Sequence, residues 1–127
     1  MASTTFSGPV TSTNGFIGSV TGDITGNVTG DITASVQSLS GAGAVNVTDM
    51  MTSLTTTGAS QALTLANGTA GQIKIITHTV DGGSAVLTPT TKIGFSTITF
   101  TNVGDSVSLI YTSAGWAVTG SKGVTIA

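Results

Sequence analysis

The side chain best suited to exchanging a proton near neutral pH is His78, in the stretch IITHTV (75–80), and Ser and Thr hydroxyls are plentiful around it. A base beside a hydroxyl is the minimum for nucleophilic or general-base catalysis. His78 falls out of phase with Ile73 and Ile75 on a segment patterned as a strand, which makes it a surface or rim residue rather than a catalyst. Metal chemistry would have to use the five Asp residues. Asp23 and Asp31 share one strand face but lie eight residues apart, roughly 26 Å at ~3.3 Å per residue, so one chain cannot bring both to one ion. With Asn27 between them, they keep the outside of their segment wet and discourage lateral pairing. The run GAGAVN (41–46) opens like a dinucleotide-binding loop, but its sixth position is Asn46 and neither a parallel strand before it nor a helix after it is indicated. Trp116 and Tyr111 are the residues for a sugar-stacking platform, or, as we expect, the large core pieces of a small β domain with few others. The expectation is no catalytic residue, no metal site and no cofactor.

Composition narrows the partners. Charged residues are 6% of the 127-residue chain, with no Arg and no Glu, against about 25% in ordinary globular domains. Lys74, Lys92 and Lys122 are the only basic residues, too few and too scattered to neutralise a run of phosphates, so nucleic acid is not an expected partner. Cys is absent, which removes disulfides and thiolate metal sites. The opening MASTTFSGPV lacks the basic and apolar regions of a signal peptide, and no apolar run approaches the ~20 residues of a membrane-spanning helix. Synthesis and assembly in a cytosol are expected, without a membrane partner.

The elements that would carry any interaction begin with GSVTGDITGNVTGDITASV (18–36), four copies of Gly-x-Val/Ile-Thr and a worn fifth. Even positions are apolar or tiny and odd positions polar, the alternation of a strand. Gly at every fourth position and β-branched residues between make helix unfavourable. Five Val and Ile side chains yield roughly 1.5–3 kcal/mol each on burial, whereas fixing the segment costs ~1–2 kcal/mol per residue. An isolated arm therefore cannot stay ordered; it needs strands from copies of itself or from a partner surface. A threefold bundle of identical arms, a narrow β-prism or β-helix with Val20, Ile24, Val28, Ile32 and Val36 inward, meets that requirement, the glycines allowing close backbone approach. The alternative is a flexible Gly/Thr linker.

Past a hinge in SLSGAGA (38–44), short strands are predicted in AVNVT, MTSLTTTG, QALTL, QIKIITHTV, SAVLT, STITFT, SVSLIYT, WAVTG and GVTIA. Asp49 could instead cap a short helix through Met50, Met51 and Leu54. In QIKIITHTV, Ile73 and Ile75 are placed inward and Lys74 outward; Ile98, Phe100, Val107, Leu109, Tyr111, Trp116 and Val118 are inward on later strands. DGG (81–83) is a hairpin signal, and Pro89 ends a strand. The spacing predicts an all-β chain: an extended arm over 1–44 and a small antiparallel β-sandwich or barrel over 45–127.

The arm FSGPVTSTNGFIGSVTGDITGNVTGDIT resembles the amino-terminal segments of virion structural proteins of tailed bacteriophages, marine and cyanobacterial phages in particular. The stretches ALTLANGTAGQIKIITHTVDGG and STITFTNVGDSVSLIYTSAGWAVTGSKGVTI are similar to a small β module of structural proteins in the same viruses. The resemblance implies a trimeric virion component with no catalytic residues. Length suits a compact capsid decoration, or cement, protein on the capsid exterior better than a long fibre. Its partners would be itself and the major capsid protein, with Phe6, Pro9, Val10, Phe16 and Ile17 gripping the capsid and the Val/Ile stripe forming the trimer seam. The alternatives are a tail fibre, spike or head-fibre component binding a host receptor or glycan through loops 81–83, 102–105 and 113–115, and a non-viral adhesin repeat.

Overall fold

The computed structural model describes residues 5, 7–9, 11–14, 17–18, 20–22 and 24–127. The chain divides into two units, Met1–Asp31 and Ile32–Ala127.

In the first unit the repeat has a backbone cause. Gly22, Gly26 and Gly30 have φ of 119°, 128° and 123°, a region that residues with a Cβ rarely enter. Each four-residue copy thus turns at its glycine and runs on through Val/Ile and Thr. Ala34 takes the glycine's place in the worn copy and is not among the residues with positive φ. There the turning stops and a regular strand starts two residues later. The described arm residues form no strand ladder within the single chain, because φ near 120° at every fourth residue interrupts the alternation that predicted one.

The second unit is all-β, ten strands in two five-stranded sheets. In chain order these are β1 (Val36–Ser40), β2 (Gly43–Val45), β3 (Met51–Thr55), β4 (Gln61–Leu65), β5 (Ile73–Val80), β6 (Ala85–Pro89), β7 (Ile98–Phe100), β8 (Ser106–Thr112), β9 (Gly115–Lys122) and β10 (Thr125–Ile126). One sheet runs β1-β3-β5-β8-β9 and the other β10-β7-β6-β4-β2. The pairs β1/β3, β3/β5, β2/β4 and β4/β6 are parallel. Each couple β1β2, β3β4 and β5β6 is therefore one coil of a flat β-solenoid, with a strand in each sheet. The last four strands pair antiparallel and close the far end.

The all-β fold in two sheets is the one expected from strand spacing; the correction is to the pairing, half of which is parallel rather than antiparallel. Parallel neighbours need a long crossover, and here the crossover is a strand of the opposite sheet rather than a helix. For the same reason Asp81-Gly82-Gly83 is not a hairpin turn: it carries the chain from β5 to β6, between sheets. Ser113-Ala114 does form a hairpin, joining β8 to β9. The hinge expected at 38–44 is occupied by β1 and β2, which belong to the compact unit. Asp49 caps no helix; it exchanges hydrogen bonds with Asn46 at 2.7 and 2.9 Å just before β3.

The core lies between the sheets: Val45, Leu54, Leu63, Leu65, Ile76, Ala85, Leu87, Ile98, Phe100, Val107, Leu109 and Trp116 are buried. The phase of β5 is the reverse of the predicted one. Lys74, Ile76 and His78 point inward, and Ile73 and Ile75 outward. Three isoleucines around one lysine fit either phase, and loop 46–50 decides between them. Its carbonyls need donors, and Lys74 Nζ donates to Asp49 O at 2.7 Å, while the side chain of Gln72 donates to Val47 O.

Coil corners stack on one another. The Thr56 hydroxyl donates to Gly83 O at 2.8 Å and accepts from Gly82 N at 2.9 Å, fastening the third coil's corner to the second. Gly83 has φ of 140°, and a Cβ there would overlap the Gly58 backbone. Gly83→Ala is expected to cost about 2–5 kcal/mol, conformational strain plus the overlap, read as a lower urea midpoint at unchanged slope.

Candidate assembly interface

The stripe residues are all exposed in the single chain. Val20, Ile24 and Val28 in the arm and Ile32 and Val36 in the compact unit are between 52 and 72% accessible. Gly18, Gly22 and Gly26, four residues apart, all have positive φ, and Val20, Ile24 and Val28 each stand two residues after one of them. Nothing within 4 Å faces Gly22, Gly26 or Gly30, leaving that side of the backbone open to close approach by another chain. Of the residues expected to grip a capsid, Pro9 is exposed and Ile17 is 98% accessible. Phe6, Val10 and Phe16 lie outside the described residues, as does Asp23.

Val36 belongs both to the stripe and to β1, whose other ladder side is open. Its side chain points away from the core, in register with Met51 and, through it, Ile75. Next to this row Ile73 pairs with Ile110, which pairs with Ala117. Ser35, Val47, Thr48, Met50, Gln72 and Ile73 line a surface cleft of about 380 Å³ at the same end of the sheet. Neither the row nor the cleft was foreseen. The signal for it was the pair of isoleucines flanking Lys74, which was read with the opposite phase.

The residues considered for chemistry have structural surroundings. His78 is fully buried, correcting the rim placement: the phase of β5 that places Lys74 and Ile76 inside carries His78 with them. Its Nε2 lies 3.0 Å from Thr56 Oγ1. That hydroxyl gives its proton to Gly83, so Nε2 is the donor and His78 becomes a third partner of the coil corner. Nδ1 is buried without a hydrogen-bond partner. Trp116 is also fully buried, its Nε1 donating to Ala66 O at 2.8 Å and its ring meeting Tyr111 edge-on at 5.1 Å; no indole face is offered to a sugar. Residues 41–46 form a turn and β2. Among the described residues no three His, Cys, Asp or Glu side chains gather to hold a metal.

Among the described residues, two ionisable groups are displaced from their ordinary values. Burial favours the neutral form of Asp105, but backbone N–H donors from Thr101 and Asn102, the Thr101 hydroxyl and the charge of His78 outweigh it and hold the carboxyl low. Burial pushes the Lys74 ammonium from 10.5 down to about 8, against the pull of Asp49. Below pH 8 both folded and unfolded chains carry the proton. Between about 8 and 10.5 only the unfolded chain does, so this lysine makes stability rise with pH in that window. Thermal melts at pH 7.5 and 10 should show the native chain gaining on Lys74→Met; parallel curves would contradict it.

No family model matches the chain, and no curated protein shows significant similarity to it.

Proposed function

We propose that this protein is a homo-oligomeric structural component of a phage particle, a capsid decoration protein on the head exterior that ties neighbouring major capsid proteins together. The observation that carries this is the exposed stripe Val20, Ile24, Val28, Ile32, Val36, set at four-residue spacing and left exposed by its own chain. Apolar side chains at such regular spacing gain free energy only when another surface removes them from water. Three arms meeting along this stripe make the oligomer, and Phe6, Pro9, Val10, Phe16 and Ile17 make the contact with the capsid. The low charge suits a permanent contact, and the resemblance of the arm to phage structural proteins supplies the setting.

A second reading is favoured by one observation. The solenoid ends at β1 and β2 with an unpaired strand edge in each sheet, a surface on which further coils or strands can be added. A fibre or spike segment, with receptor or glycan contacts at its loops, would use it that way.

Copy number per particle separates the two. Quantitative mass spectrometry of purified virions should find this chain in a fixed ratio to the major capsid protein, and the purified chain should bind expanded empty heads. A few copies per particle, with binding to host cells instead, would replace the decoration role by the fibre.

A further inference from the structure

The loop between β4 and β5, residues 66–72, is fastened on both sides of the dipeptide Asn67-Gly68. Before it, Ala66 O accepts from Trp116 Nε1 at 2.8 Å. After it, Thr69 N donates to Gln72 Oε1 at 3.0 Å, Gln72 N to Thr69 O at 2.9 Å and Gly71 N to Tyr111 O at 2.8 Å. Packing requires the glycine: a Cβ on Gly68 would stand 2.5 Å from Gln72 Oε1, 3.0 Å from Trp116 Cζ2 and 3.2 Å from Tyr111 Cβ. Asn67 is under no such constraint. It is exposed, and among the described residues neither its carboxamide nor the Gly68 N–H beside it has a hydrogen-bond partner. The step Asp81-Gly82 is the contrast. There the Gly82 N–H donates to Thr56 Oγ1 at 2.9 Å and Asp81 Oδ1 accepts from Gly83 N at 2.8 Å, so both groups are held.

We propose that Asn67-Gly68 is a self-modification site, at which the chain converts Asn67 to isoaspartate and thereby loosens the seating of Trp116. With no Cβ on Gly68 to obstruct it, the Gly68 amide nitrogen loses its proton to hydroxide and bonds to Asn67 Cγ. The Cγ–Nδ2 bond breaks, and Nδ2 takes a proton from water and leaves as ammonia. The product is a cyclic succinimide. Water then adds to one of its two carbonyls: opening at Cγ gives an ordinary aspartate, and opening at the main-chain carbonyl gives isoaspartate, with the chain running through Cβ and Cγ. The second route lengthens the main chain by one carbon between two fixed points, Ala66 and Thr69. Either the Trp116 Nε1–Ala66 O hydrogen bond or the contact of Gly68 with the indole must give way. The reaction depends neither on self-association nor on the partner proposed above.

The test ages the full chain at pH 8.5 and 37 °C beside Asn67→Ser, which removes the electrophilic carboxamide and keeps Gly68. Peptide mass mapping should find the amide-to-acid mass gain at residue 67, enzymatic methylation should detect isoaspartate in the same peptide, and the rate should rise in proportion to hydroxide. The other Asn-Gly step of the sequence, Asn14-Gly15, falls in a different part of the map and is read separately. Fresh native and Asn67→Ser chains should share one urea midpoint. After ageing, the native midpoint should fall and its tryptophan emission shift to the red, a signal that belongs to Trp116 because the chain has no other Trp, while Asn67→Ser stays where it was. An intact amide at residue 67 after ageing would overturn the site. Conversion with midpoint and emission unchanged would overturn the loosening of Trp116, and an equal fall in Asn67→Ser would do the same by placing the damage elsewhere.

Discussion

Ile24→Asp should reduce the assembly to single chains while leaving the compact unit's melting temperature where it is. Ile24 lies in the arm, outside the unit Ile32–Ala127, so its replacement removes nothing from the core. In the proposed oligomer every copy would bring the same residue to the seam. One substitution therefore places several carboxylates together in a region emptied of water, each costing at least several kcal/mol unless it is neutralised or the seam opens. Opening is the cheaper outcome. Sedimentation should show a fall to one-chain mass at micromolar concentration, with an unchanged far-ultraviolet dichroism melt. Val28→Asp should behave alike, and Thr25→Asp, on a polar position next to Ile24, should leave the mass intact. Retention of mass in both apolar-to-Asp variants would show that the stripe faces water.

Trp116→Ala should produce the largest loss of stability in the compact unit. The indole is fully buried beside Tyr111, donates to Ala66 O, and lies on a strand whose backbone bonds to Thr91 and Ile93 at 2.9 Å. Removing it leaves a cavity and an unpaired carbonyl, costing about 3–5 kcal/mol. A domain of this size has roughly 5–15 kcal/mol in all, so the variant should be partly unfolded at 37 °C. Trp116→Phe keeps most of the volume and loses only the hydrogen bond and one ring, so its midpoint in urea should fall between those of the native chain and the alanine variant. Equal midpoints for Phe and Ala would mean that the hydrogen bond, not packing, dominates.

Strand positions after residue 50 were legible because side-chain alternation is local. Ile98 and Phe100, Val107 and Leu109, and Trp116 point where their spacing places them. Pro89 ends β6 as its missing N–H requires. Partners were not legible, because parallel and antiparallel strands share the same alternation and only the connection tells them apart. Coil starts at Val36, Met51 and Ile73 are unequally spaced, so no repeat announced the solenoid. The phase of β5 went the other way for an energetic reason: an inward lysine is unfavourable until loop 46–50 supplies an acceptor, and that loop is arranged only in the fold. His78 moved inside with it. The stripe itself was visible from spacing alone, whereas the outward row Val36, Met51 and Ile75 depends on cross-strand register, a long-range property.

The molar mass of the unmodified full chain in solution bears most directly on the central claim, that its exposed Val/Ile steps are one side of a seam between copies. Sedimentation equilibrium at micromolar concentration should return an integral multiple of 12.4 kDa, with three copies the expected number. A single species of 12.4 kDa that persists as the concentration is raised a hundredfold would contradict it.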